Sequence, residues 1–222
     1  AGKRIVVIGN AASAVQFVPQ IAPLASQLTI VQRSPNWLMP RKDRLYSPRL
    51  HRWMARWPWL AKLRHDFQWF VFGEMQLTPL MKQVRIVQWL ATIKAKRHLQ
   101  RQVRDPALRA KLLPDYPIGA KRVLFNDDYY PTLNRRNVRL VTDPIDSIVA
   151  DGVRTQSGER FAADVIIYAT GFKATDFLAP MTITGPGGHA LSEEWRQGAR
   201  AYLGVTVSGF PNLFMLYGPN TN

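Results

Sequence analysis

The chain opens with a β-branched run from Arg4 to Ile8 that stops at Gly9, then places Val15, Val18, Ile21, Ala22 and Ala25 at helical spacing. The pattern predicts a strand, a tight turn and a helix over 12–25. Pro19 falls inside that helix, removes one backbone donor and is expected to kink the axis. A second β-branched run, Leu28 to Val31, follows at the separation of a compact βαβ unit, whose two strands run parallel.

From Asn36 to about Arg122 the period changes to that of helices, as in Val84, Val87, Leu90, Ala91 and Ile93. Pro35 on one side and the loop around Pro114, Pro117 and Gly119 on the other bound this stretch as a helical insertion. Short strands return afterwards at Val138 to Val141, Ser147 to Val149, Gly152 to Thr155 and Val165 to Ala169, so the sheet is expected to resume. The fold expected is α/β and Rossmann-like, with a parallel sheet and a helical insertion. Its expected division is an α/β domain over 1–168, with the insertion at about 36–122, and a separate segment over 169–222. That last segment is rich in glycine and proline and ends at Tyr217-Gly218-Pro219-Asn220-Thr221-Asn222 without a closing helix, as expected of a chain cut within a fold.

Composition narrows the classes. Hydrophobic residues make up 46% of the 222, which supplies a packed core and excludes disorder over most of the length. The absence of cysteine excludes disulfides, thiolate metal sites and a cysteine nucleophile, and makes a reducing cytoplasm the expected compartment. The apolar run at 5–8 is too short for a signal peptide, and no run of 18 apolar residues predicts a spanning helix. A formal charge of +15 attracts nucleic acid, acidic lipid and dinucleotide phosphates alike. Much of it sits in the insertion, which holds nineteen basic and five acidic residues together with Trp37, Trp53, Trp57, Trp59, Trp69 and Trp89.

The turn after the first strand, Gly9-Asn10-Ala11-Ala12-Ser13-Ala14, is in register with a G-x-G-x-x-G phosphate turn but keeps only its first glycine. Small residues are needed there because backbone N–H groups at a helix N-terminus must approach a pyrophosphate, whose charge the helix dipole favours. An ordinary small-residue βα turn is the competing reading. At the end of the second strand stands Val31-Gln32-Arg33-Ser34, with no carboxylate to bind a ribose 2′-hydroxyl. Arg33 beside Ser34 suits a 2′-phosphate, and so a phosphorylated nicotinamide cofactor, the alternative being a solvated surface arginine.

These segments carry a resemblance. Val7-Ile8-Gly9 through Ser13-Ala14-Val15-Gln16-Phe17-Val18-Pro19, with Gln32-Arg33-Ser34-Pro35-Asn36-Trp37, resembles the second nucleotide-binding motif of class B flavoprotein monooxygenases. Asp164-Val165-Ile166-Ile167-Tyr168-Ala169-Thr170-Gly171-Phe172 is similar to that family's Ala-Thr-Gly segment, where the chain returns towards the flavin domain. Pro117-Ile118-Gly119-Ala120-Lys121-Arg122 followed by Asp128-Tyr129-Tyr130 resembles the segment with the mobile active-site arginine of Baeyer-Villiger monooxygenases.

The resemblance implies an NADP(H)-binding portion of an FAD-dependent enzyme, with residues 169–222 as linker and part of the flavin domain. The family's N-terminal FAD motif and histidine-containing fingerprint are absent from this stretch, so the missing FAD-binding segments are its implied partners. Such an enzyme uses NADPH, FAD and O2 to insert one oxygen atom into a ketone or a soft heteroatom, and the fragment alone is expected to be inactive. By resemblance Arg122 would stabilise negative charge developing beside the flavin and on the substrate carbonyl. Lys121 would join Arg33 and Ser34 at the 2′-phosphate. Gly9, Asn10, Ala12, Ser13, Ala14 and Gln16 would line the pyrophosphate and nicotinamide side, and Thr170 and Gly171 would link the domains. For Lys121 and Arg122 a solvated basic loop is the competing reading, and for Thr170-Gly171 a plain strand-end turn.

Other classes stay open at this point. His51, His65, His98 and His189 have no ligand-spaced partners, so no metal site is expected. Ser13 lacks a nucleophile elbow. Trp53, Trp57, Leu60 and Leu63 fall on one face of a continuous helix, which suits packing in a core or against another domain, or else a membrane surface. A basic nucleic-acid-binding domain and a cofactor-free Rossmann-like module are the remaining alternatives, although nucleic acid is not expected, since no recognised binding motif accompanies the charge.

Overall fold

A computed structural model describes residues 1–43, 45–82, 84–173 and 176–221. The chain forms two compact units, Ala1–Gly171 and Phe172–Asn222. In the first, strand β1 (Arg4–Ile8) leads into helix α1 (Ala12–Ile21), strand β2 (Gln27–Val31) and the short β3 (Leu38–Met39). Helices α2 (Pro48–Arg56), α3 (Pro58–Trp69), a π-helical stretch (Phe70–Leu77), α4 (Thr78–Met81), α5 (Arg85–Gln102) and α6 (Pro106–Leu112) follow. Then come β4 (Leu124–Phe125), α7 (Tyr129–Leu133), β5 (Val138–Val141), β6 (Ile145–Val149), β7 (Gly152–Thr155), β8 (Arg160–Ala162) and β9 (Val165–Tyr168).

The central sheet is parallel, in the order β5-β2-β1-β9. Successive strands move outward from β1 through β2 to β5, and the chain then returns to the other side of β1 as β9. The direction of winding therefore reverses beside β1, the place where open α/β sheets bind ligands outside the carboxyl ends of their strands. The β-branched residues of β1 and β2 are covered on one face by Ala14, Val15 and Val18 of α1 and by Leu99, Val103 and Leu112 from the end of the insertion. On the other face Val6, Val31 and Val141 pack with Val153 and Phe161.

Four details differ from the sequence reading. Helix α1 ends at Ile21 rather than near Ala25, because Pro23 has no N–H to continue it and the Asn137 side-chain amide donates to the carbonyls of Ala22 and Ala25 at 2.8 and 2.9 Å. The strands at 145–149 and 152–155 do not rejoin the parallel sheet. The short Ala150-Asp151 connection makes them an antiparallel hairpin, and unforeseen β8 completes a separate three-stranded sheet. The insertion is pinned at its two ends by the β3–β4 pairing, Leu38 to Leu124 and Met39 to Phe125.

Finally, Trp53 does not share a helix with Leu60 and Leu63. Trp57 precedes Pro58 and is driven out of helical geometry, φ −131° and ψ 82°, so the helix breaks there. Neither α2 nor α3 has a fully buried residue, so of the packing expected for this face, in a core or against another domain, the core form is not seen among the described residues. The second unit has its own small core of Leu191, Val207, Phe210 and Met215.

Candidate functional site

The turn between β1 and α1 is set by backbone contacts. Gly9 has φ +107°, and a Cβ there would collide with the Ala169 carbonyl oxygen. Its N–H donates to Val31 O at 2.9 Å, while Ala169 N–H donates to Ile8 O at 2.8 Å. The retained glycine is thus required by the close passage of the segment after β9. Ala11, in place of the second motif glycine, has φ −79°, where a methyl group is unstrained. Ala14, in place of the third, is fully buried against the sheet.

Helix α1 begins without a side-chain cap. Its first intrahelical acceptor, Ala11 O, is taken by Val15 N–H, which leaves the N–H groups of Ala12 and Ser13 for an external acceptor, while Ala14 is sealed against the sheet. Ser13 and Gln16 are exposed beside them. No acidic residue stands in the first turn to compete with an anion for the helix dipole.

The end of β2 is tied to this turn by a buried pair that the sequence reading did not assign. Asn10 Nδ2 donates to Gln32 Oε1 at 2.7 Å and to Ser34 O at 3.1 Å, Asn36 Nδ2 donates to Asn10 O at 3.0 Å, and Gln32 Nε2 donates to Lys111 O at 2.8 Å. Asn10 thus spends its amide holding Gly9-Asn10 against Arg33-Ser34. A glutamine closing an otherwise apolar strand was the available signal for Gln32. Arg33 is exposed and has no acidic partner among the described residues.

Lys121 is drawn to the same edge through Tyr116. Its ammonium lies 4.4 Å from the Tyr116 ring centroid, and the Tyr116 hydroxyl donates to Pro35 O at 2.9 Å. Burial pushes the Tyr116 phenol above its usual range, which keeps it a donor. Trp37 Nε1 donates to Tyr116 O at 2.8 Å and completes the clasp between the segments after β2 and before β4. Arg122 is exposed, and the structure shows no contact joining it to Arg33 or Ser34.

Behind it, Asn126 anchors the loop. Its Oδ1 accepts from the N–H groups of Asp128 and Tyr129 at 2.8 and 2.7 Å, its Nδ2 donates to Val15 O at 3.3 Å, and its carbonyl lies 3.0 Å from His98 Nε2. Burial pushes the phenols of Tyr129 and Tyr130 far up, so both are neutral packing groups.

Thr170 and Gly171 directly follow β9, with Gly171 at φ +93° in open space. The structure therefore gathers Gly9, Asn10, Ser34 and Lys121 at the carboxyl edge of the sheet, with Thr170 following the segment that abuts Gly9. A surface hollow of about 400 Å³ lies elsewhere, between α6 and β5, and contains none of these residues. Among the described residues no three His, Cys, Asp or Glu side chains are grouped so as to hold a metal ion.

No family model matches the chain. A Baeyer-Villiger monooxygenase of Pseudomonas aeruginosa is 41% identical over 222 residues, 99% of this chain and 41% of the relative. The FAD-binding monooxygenase ktnD of Aspergillus niger is 42% identical over 222 residues, 100% of this chain and 36% of the relative. Among solved structures, OTEMO in complex with FAD and NADP superposes with a TM-score of 0.80 at 30% identity, covering 99% of this chain and 47% of that one. An open form of cyclohexanone monooxygenase gives 0.78 at 26% identity, covering 99% and 50%. The chain spans about two fifths of the length of the curated relatives it matches. Matched from end to end by enzymes of this kind in both sequence and fold, the chain is similar over its whole length to one portion of the Baeyer-Villiger enzymes, which are class B flavoprotein monooxygenases.

Proposed function

We propose that the chain is the NADP(H)-binding portion of an FAD- and NADPH-dependent monooxygenase that inserts one oxygen atom of O2 into a ketone. Soft heteroatoms are the second substrate class. The observation that carries the cofactor half of this reading is the uncapped N-terminus of α1 beside a β2 end that offers Arg33 and Ser34 and no carboxylate. The amides of Ala12 and Ser13 receive the pyrophosphate, with Ala14 seating the helix start against the sheet, and Arg33, Ser34 and Lys121 receive the 2′-phosphate. Tyr116 orients Lys121 and so sets the spacing of the two cations. Ser13 and Gln16 contact the nicotinamide side, and Thr170-Gly171 link the two units.

The flavin, when bound, supplies the oxygen-activating chemistry. Arg122 provides a permanent cation for negative charge that develops next to it and on the substrate carbonyl. Its exposure and its place between Gly119, at φ +92°, and the anchored Asn126 support a side chain free to swing on a fixed base. The relatives' names support the ketone reading.

Calorimetric titration of the chain with NADPH and NADH tests the cofactor half. NADPH should bind more tightly, and Arg33→Ala should weaken NADPH by roughly 10–100-fold, the worth of a hydrogen bond to a charged group, with little effect on NADH. Equal losses for both cofactors would remove Arg33 from the site.

A further inference from the structure

Helices α2 and α3 contribute no fully buried residue, and only Met54, Leu60 and Ala61 are partly covered. At 9 and 12 residues each is marginal in water on propensity alone, so their ordering calls for a surface that covers them. What they present is specific. Arg49, Arg52 and Arg56 are spaced three and four apart and form one stripe of α2, and α2 carries no acidic residue. Beside the stripe, Trp53 and Trp57 stand edge to face with centroids 5.3 Å apart, and these five side chains line an open hollow of about 430 Å³. On α3 and at the start of the π-helical stretch, Trp59, Leu63, Phe67 and Phe70 recur at spacings of four, four and three, again one stripe, and each is 56–66% exposed. The one acid of α3, Asp66, is neutralised by Lys62 at 2.6 Å.

We propose that α2 and α3 form an arm that docks on the surface of an anionic phospholipid bilayer. The arginines meet headgroup phosphates, the tryptophans lie at headgroup level, and the α3 stripe enters the acyl boundary. Each feature of the arm has a counterpart there. A nucleic acid would satisfy the arginines and leave Leu63, Phe67 and Phe70 in water, and the edge-to-face tryptophans offer no flat platform for stacked bases. A second copy of this arm would bring arginine stripe against arginine stripe. The chain lies on the bilayer in this reading, and among the described residues no helix is long and apolar enough to cross one.

Flotation of the full chain with vesicles of phosphatidylcholine alone, and of phosphatidylcholine mixed with phosphatidylglycerol, tests the proposal. The chain should float with the mixed vesicles only, and lipids brominated along the acyl chain should quench its tryptophan fluorescence. Replacing Arg49, Arg52 and Arg56 together by Gln should lower partitioning by about 100-fold, from about five-fold for each basic residue at the surface. Leu63→Ser with Phe67→Ser should also lower it while circular dichroism and elution volume stay unchanged, since neither side chain supports the fold. Absence of flotation, equal flotation with neutral vesicles, or an undiminished Arg49/Arg52/Arg56 variant would overturn the proposal. So would a dimer that dissociates on Leu63→Ser without any vesicle binding, or oligonucleotide binding that needs the arginines in a chain that ignores vesicles.

Discussion

Replacing Gly9 by alanine should damage the molecule more than the size of one methyl group suggests. The backbone there sits at φ +107°, and a left-handed conformation costs an L-residue about 1–2 kcal/mol. The new Cβ would also collide with Ala169 O and stand 2.8 Å from Ala169 C, main-chain atoms that cannot rotate away. Relief requires the end of β9 to retreat by about 1 Å, which strains the Ala169–Ile8 hydrogen bond and overpacks the turn at about 1–3 kcal/mol. The sum, about 2–5 kcal/mol, is a large share of a typical domain's stability and lowers the Tm of a unit this size by roughly 10 °C.

Gly158→Ala is the control, because Gly158 has φ +88° with nothing within 4 Å of the added Cβ and so carries only the conformational cost. Thermal unfolding followed by circular dichroism compares the two. If Gly9→Ala and Gly158→Ala lose the same Tm, the close approach to β9 does not hold the turn.

Three further outcomes are expected. Gln32→Met keeps the volume of a buried side chain but deletes its hydrogen bonds to Asn10 and Lys111, so it should cost about 1–3 kcal/mol in thermal unfolding. A double-mutant cycle with Asn10→Ala should be non-additive, and strict additivity would dissolve the pair. Tyr129 Oη is buried without a hydrogen-bond partner among the described residues, so Tyr129→Phe should raise the Tm by a few degrees, while a clear fall would reveal a partner for the hydroxyl. Arg4, through its guanidinium and backbone N–H, holds Asp164 at about 2, and Arg154 and Ser157 lower Asp146 and Asp143. These carboxylates ionise more readily folded than unfolded, so their stabilisation is complete above the unfolded value near 3.9 and lost as pH falls towards 2. Tm should drop through that window and drop less steeply in Asp164→Asn, and identical profiles would deny the Arg4–Asp164 contact a role.

Local signals made the opening βαβ unit legible, because a β-branched run, a glycine and a helical period occur there in immediate succession. The same locality exposed Arg33 and Ser34 as the residues that close β2. Contacts spanning long stretches of sequence left no such trace. Asn10 and Gln32 are 22 residues apart, and Trp37 and Tyr116 are 79 apart, so nothing near either member announces the other. The two-residue strands β3 and β4 are too short for any alternation to register. The break at Trp57 was misread for a different reason. Its apolar spacing suits a continuous helix, and the constraint that Pro58 places on the preceding residue prevails over that period.

The β3–β4 ladder has a further effect on what the protein can tolerate. Because its two rungs clamp the departure and return of the intervening segment at one spot, the reach of that segment into solvent has little bearing on where Lys121 stands relative to Pro35. Closing a loop grows costlier only with the logarithm of its length, and the α2–α3 arm supports no core. The arm is therefore an interchangeable attachment. It can be shortened, lengthened or swapped for a different segment while the crevice at the carboxyl edge of the sheet keeps its shape.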